Sequence, residues 1–152
     1  MKVELKPLVA QDVRTLARSF PGTLMTASFP VEDFADKYEH SCSGTIHIDD
    51  APVACFGIQS EWKGYGIVWA MYSPLALAHP HTVVRITKNT LDGHFRHGGY
   101  RRIDTMVMKG WRRAERFIEA MGFTAQCDLP LWGPNGETYV LYARLKETPC
   151  RP

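Results

Sequence analysis

The sequence predicts a mixed α/β domain built around a single sheet, and three observations carry that expectation. Strand-like apolar runs recur along the chain, at "VELKPL", "SGTIHIDDAPVACFGIQS", "IVWAMYS", "RIDTMVM" and "TAQCDLPLWGPNGETYVLYARL". Segments with helical spacing separate several of them. A strand–helix–strand–helix core is closed by a hairpin, so the element order is β-α-α-β-β-β-α-β-α-β-β.

Each element has a local reason. "VELKPL" reads as the first strand, and "AQDVRTLARSF" places Val13, Leu16, Ala17 and Phe20 at helical spacing. Pro21 and Gly22 interrupt that helix. A second helix is expected near Pro30, with Val31, Phe34, Ala35 and Tyr38 on one face. Two strands then join through a turn at Asp49, Asp50 and Ala51, and "EWKGYG" forms the next turn. "IVWAMYS" is apolar enough for a central strand. The stretch "PHTVVRITKNTLDGHFRHGGY" carries a helix of several turns that ends near Gly98-Gly99, and "RIDTMVM" follows as a strand. The closing hairpin turns at Gly133, Pro134, Asn135 and Gly136.

The chain of 152 residues is most simply one domain, residues 1–148 with a tail at 149–152. A chain of this size buries about 70% of its extended surface. Hydrophobic residues make up 45% and charged residues 22%, an ordinary globular balance without the long apolar run of a membrane span. "MKVELKPLVAQDV" holds no apolar signal core, and Cys42, Cys55, Cys127 and Cys150 form no CxxC pair. The expectation is a cytoplasmic protein with reduced thiols, Cys55 and Cys127 serving as small core residues. The net charge of +2 is unevenly spread. Residues 96–116 hold seven basic residues against Asp104 and Glu115, a surplus that suits an anionic partner or a solvated face balanced elsewhere.

"WRRAERFIEAMGF", residues 111–123, is the most legible segment. Ala114, Phe117, Ile118 and Met121 form a stripe at i, i+3, i+4 and i+7 that must bury against a sheet. Gly122 can take the left-handed position that ends a helix, letting Phe123 fold back toward Ile118. Arg112, Arg113, Glu115, Arg116 and Glu119 are left on the wet face.

That helix and its stop, set before a closing hairpin within this element order, resemble the GNAT (Gcn5-related N-acetyltransferase) superfamily. Short GNAT-like proteins encoded by tailed phages are similar in size and layout. The family's helix commonly carries Asn-x-x-Ala-x-x-x-Tyr before a Gly-Phe stop. In that register Trp111 stands at the Asn position, Ala114 at the Ala position and Ile118 at the Tyr position. The resemblance implies a GNAT-like mixed sheet and transfer of an acetyl group from acetyl-CoA to an amine, on a small molecule or a protein. It also implies a cofactor opening beside the strand "IVWAMYS", where Met71 and Ser73 are the positions to watch. The pyrophosphate loop of the family is glycine-rich, whereas this chain has "PLALAHPHTVVRI". A helix starting near Pro80 would offer the amides of His81, Thr82 and Val83, with Arg85 and Lys88 adding charge and Arg113 approaching the nucleotide phosphates. His81 could also serve as a donor or proton carrier.

For the acid–base chemistry, the resemblance points to Glu61 as the base and to Tyr72 as a substitute proton donor for the tyrosine that Ile118 replaces. Tyr139 and Tyr142 are further substitutes. The same departures motivate an alternative, a catalytically degenerate GNAT fold, phage-encoded, that binds a host or virion protein through loop aromatics such as Trp62, Tyr65 and Trp132. His79-x-His81 and His94-x-x-His97 have metal-compatible spacing, but no neighbouring ligand completes a set, so no metal is expected. Trp111, Tyr100 and Trp132 beside the basic segment could stack bases, yet no nucleic-acid motif is present and such binding is not the leading expectation.

Overall fold

The computed structural model describes residues 1–19, 35–36 and 42–147. Its elements are β1 (Val3–Pro7), α1 (Ala10–Ser19), β2 (Cys42–Ile48), β3 (Ala51–Trp62), β4 (Tyr65–Tyr72), α2 (Pro74–Ala78), α3 (Pro80–His97), β5 (Arg102–Met108), α4 (Arg112–Ala120), β6 (Thr124–Leu129) and β7 (Tyr139–Leu145). The seven strands form one mixed sheet in the order β1-β2-β3-β4-β5-β7-β6. Two compact units lie along the chain, one of Met1–Gln59 with Val68–Thr87, the other of Ser60–Ile67 with Lys88–Pro152. Among the described residues, no helix is long and apolar enough to cross a membrane. Most of the second helix expected near Pro30, the Phe20 position and the expected tail at 149–152 lie outside the described residues.

In the first unit, β1 runs antiparallel to β2, and β2 to β3. The β2–β3 turn holds Asp49 and Asp50 at φ 47° and 66°. Two successive positive φ values are what a tight two-residue hairpin demands, and aspartate is among the few side-chain-bearing residues that tolerate them. α1 lays Val13 and Leu16, at 0% and 1% exposure, against a core of Leu8, Ala10, Ala35 and Cys55. Trp69 and Met71 of β4 pack on that core. Asp12 and His47, both buried, face each other across it at 3.7 Å.

In the second unit, the turn Lys63–Gly64 joins β3 to β4, so Glu61 and Trp62 end a strand where the sequence suggested a turn. Tyr65, Gly66 and Ile67 pair in parallel with Arg102, Ile103 and Asp104 at the start of β5. β5 then pairs antiparallel with β7 along its whole length, and β7 with β6.

α4 ends as expected. Gly122 sits at φ 90°, its N–H donates to the Glu119 carbonyl at 3.0 Å, and the Phe123 N–H donates to the Ile118 carbonyl at 3.2 Å. These two bonds satisfy carbonyls that the helix end would otherwise orphan. The burial differs from expectation. Ala114, Phe117 and Ile118 are only half-buried, and full burial falls to Met121 and Phe123 at the stop. Glu115 is not on the wet face either. Its side chain is 13% exposed and accepts from the Gly110 N–H at 2.9 Å, ahead of a Trp111 N-cap that makes no side-chain cap bond.

Cys55 is a core residue at 0% exposure, but Cys127 is exposed. The reason is position in the sheet. β6 is an edge strand, and all of Thr124–Asp128 is exposed.

Candidate active site

The first unit gathers most of the expected site residues where β4 passes into α3. The segment between them forms a helical turn, α2, in place of the glycine-rich loop that the family resemblance implied. Ser73 caps this turn, its Oγ accepting from the Ala76 N–H at 3.3 Å and its carbonyl from the Leu77 N–H at 3.3 Å. The Ser73 N–H donates to the Val53 carbonyl at 2.8 Å. Ser73 is therefore buried and its N–H already spent within the fold.

Pro74 and Pro80 each open a helix, where their missing N–H leaves no intrahelical bond unmade. The His79 N–H closes onto Ala76, and the Val83 N–H donates to the His79 carbonyl at 3.2 Å. Amide donation to an anion at the start of α3 thus falls to His81 and Thr82 rather than to Val83, which is buried. His81 and Arg85 are exposed and four residues apart, on one helix face. Two amides, the positive end of an 18-residue helix and one arginine could hold a phosphate group with fewer donors than a glycine-rich loop offers.

Met71 is half-buried, and its main-chain N–H meets the Cys55 sulfur. Burial pushes the Cys55 thiol up to about 12, the Asp12 carboxylate adding to the shift, so this sulfur is a packed thiol and no nucleophile. Tyr72 ends β4 with its hydroxyl beside Thr87 of α3, and burial holds that hydroxyl far above the ordinary tyrosine range.

The second unit holds Glu61 and Arg113, and also Lys88, Tyr139 and Tyr142. Glu61 is exposed near the end of β3, by the Lys63–Gly64 turn at the start of β4, whereas Tyr72 stands at the far end of β4. Arg113 is exposed in the first turn of α4, with no ion partner among the described residues. Ile118 is half-buried and apolar, so α4 supplies no hydroxyl at that position.

Sequence reasoning did not foresee the ion pairs of Asp92, which bonds Lys88 at 3.1 Å and also Arg144. Lys88 and Asp92 carry an i, i+4 signal readable from sequence, whereas Arg144 lies 52 residues on. His94 stands edge-on to Tyr100, and burial lowers its pKa. Among the described residues, no three His, Cys, Asp or Glu side chains converge as a metal site would require.

No protein-family model matches this sequence, and no curated protein matches it. Solved structures do match its fold. A GNAT-family acetyltransferase from Bacillus anthracis superposes with a TM-score of 0.76 at 13% identity, covering 97% of each chain. A spermidine N-acetyltransferase SpeG chimera from Vibrio cholerae and hSSAT gives 0.75 at 12% identity over 96% of each chain. YncA, a putative acetyltransferase from Salmonella typhimurium solved with its cofactor acetyl-CoA, gives 0.76 at 9% identity, covering 100% of this chain and 98% of that one. The chain has the GNAT fold.

Proposed function

We propose that this protein binds acetyl-CoA and transfers its acetyl group to an amine. The observation that carries the proposal is the start of α3, where His81 and Thr82 present amides at a helix N-terminus, Arg85 adds a cation and the capped turn at Ser73 replaces the usual loop. These groups would hold a pyrophosphate, while Met71 and Ser73 line the strand end beside it and Val83 fixes the helix from within. When bound, acetyl-CoA supplies an activated thioester carbonyl. Glu61, near the end of β3, is the candidate carboxylate of the second unit for taking the proton of an acceptor amine, and Arg113 is the candidate contact of that unit for a nucleotide phosphate.

Tyr72 is the candidate for returning a proton to the leaving thiolate. Burial keeps it protonated, as a donor must be, and leaves it a still weaker acid than a thiol, whose ordinary pKa of about 8.5 already lies below tyrosine's about 10. Its proton therefore adds little rate, and the transfer relies mainly on positioning.

A polyamine is the first acceptor to try, because SpeG is a spermidine N-acetyltransferase. The activity belongs to the cytoplasm, the host's if the protein is phage-encoded. A melting curve with acetyl-CoA tests the proposal: a rise in melting temperature that saturates below about 1 mM supports it, and no rise removes the enzyme reading.

Ile118 at the tyrosine position and the glycine-free turn favour one second reading, a degenerate GNAT fold that binds a host or virion protein. A partner captured by the tagged protein, together with no response to acetyl-CoA, would support it.

A further inference from the structure

The second unit contains a recess that the pyrophosphate site proposed at the start of α3 does not use. It is an open recess of about 410 Å³, lined by Trp62, Gly64, Tyr65, Arg101, Arg102 and Asp104. That volume falls in the range of about 300–1,000 Å³ usual for small-molecule sites. The recess lies at the start of β4, whereas Ser73 and α2 follow the end of that strand.

Its parts are held in place. The Gly64 carbonyl accepts from the Arg101 and Arg102 N–H groups at 2.8 and 3.1 Å, which ties the β3–β4 turn to the start of β5. Arg101 lies flat over that turn and donates from Nη2 to the Lys63 carbonyl at 3.2 Å. Gly64 permits this approach, since its φ is 89° and a Cβ there would stand 2.8 Å from the Arg101 Nε. The Arg101 guanidinium is thereby oriented, exposed and left with donors to spare.

Asp104 does not cancel that charge. Its two oxygens are engaged internally, Oδ1 with Arg102 Nε at 2.6 Å and Oδ2 with the Tyr65 hydroxyl at 2.9 Å. Beside this pair Trp62 is 65% exposed, yet its ring is packed at 4.4 Å on Tyr65. Glu61 precedes it in β3, and its carboxylate acts on the Tyr65 hydroxyl, so the recess has an acidic neighbour besides Asp104. The recess thus combines an exposed, oriented indole with a fixed guanidinium and the nearby Lys63.

We infer that this recess binds a nucleoside phosphate, its base stacked on Trp62 and its phosphate held by Arg101. Indole–base stacking and guanidinium–phosphate bonding are each suited to that ligand. The same unit could come from a free mononucleotide or from a single-stranded RNA.

Calorimetric titration with AMP, adenosine, ribose 5-phosphate and tetra-adenylate tests the assignment. AMP should saturate below about 5 mM, and the probes lacking the phosphate or the base should bind about ten-fold more weakly or not at all. Trp62→Leu and Arg101→Gln should each weaken AMP about ten-fold. On the unmodified protein, AMP should shift the NMR signals of the Trp62 indole N–H and the Lys63 and Gly64 amides, and this readout does not depend on a variant folding. Tetra-adenylate binding much more tightly than AMP would assign the source as RNA, and equal binding would assign a free nucleotide. Absence of AMP binding, shifts confined to other residues, or displacement of AMP by CoA would each overturn the assignment.

Discussion

The Arg144 guanidinium on β7 donates to the Asp92 carboxylate on α3, with side-chain exposures of only 18% and 22%. A second nitrogen of the same group donates to the Met121 carbonyl at the end of α4 at 3.1 Å, and the guanidinium lies 4.7 Å over the Phe95 ring. One side chain thus joins two helices to the sheet within the second unit. Removing it leaves the Asp92 carboxylate with Lys88 alone and orphans the Met121 carbonyl. Arg144→Ala should cost about 2–4 kcal/mol in urea unfolding, while Arg144→Lys, which lacks the planar fork, should recover only part of that.

The same pair sets an acid dependence. Burial alone would raise the Asp92 pKa, but Arg144 and then Lys88 hold it below the ordinary aspartate value. A carboxylate depressed in the folded state contributes stability that is present above its unfolded pKa of about 3.9 and is lost as pH falls through the folded value. Melting temperature should fall below about pH 4, and Asp92→Asn should be less stable at neutral pH with a shallower acid decline.

Gly122 has two reasons to be glycine. Its φ is 90°, and a Cβ would stand 3.3 Å from the Arg144 Nε. Gly122→Ala should destabilise by about 1–2 kcal/mol in urea unfolding, and Gly122→Asn by less, because asparagine tolerates the left-handed region.

Tyr72 separates proton donation from positioning. Its far-raised pKa implies that Tyr72→Phe leaves kcat for acetyl transfer within about ten-fold of the parent. A loss of about 100-fold, with KM unchanged, would instead restore the phenol as the acid.

The thiols should differ sharply in reactivity. Cys127 is exposed on the edge strand, and Cys55 is buried with its thiol pushed up to about 12. Peptide mapping after brief alkylation should find Cys127 modified in the folded protein and Cys55 modified only in denaturant.

Local pattern made β5 and α4 legible. "RIDTMVM" coincides with Arg102–Met108, and the Gly-Phe stop after α4 forms the bonds its residues imply. α2 was not legible, because five residues are too few to display a helical period and Ser-Pro reads as loop. The exposure of Cys127 was hidden for another reason. Whether a strand lies at an edge or in the middle of a sheet depends on distant pairing, as does the union of Asp92 with Arg144. Of the candidate site, the start of α3 at Pro80 was readable, whereas the capture of the Ser73 and Val83 amides by Val53 and His79 was not.

The capped turn at Ser73 has a consequence for affinity. A glycine-rich loop is conformationally permissive, and ordering it around a phosphate costs entropy at the moment of binding. Here Ser73 and the prolines at positions 74 and 80 fix the main chain beforehand. At the proposed pyrophosphate site the ordering cost would then be met during folding, so the surface would already be set for a ligand with fewer donors to engage.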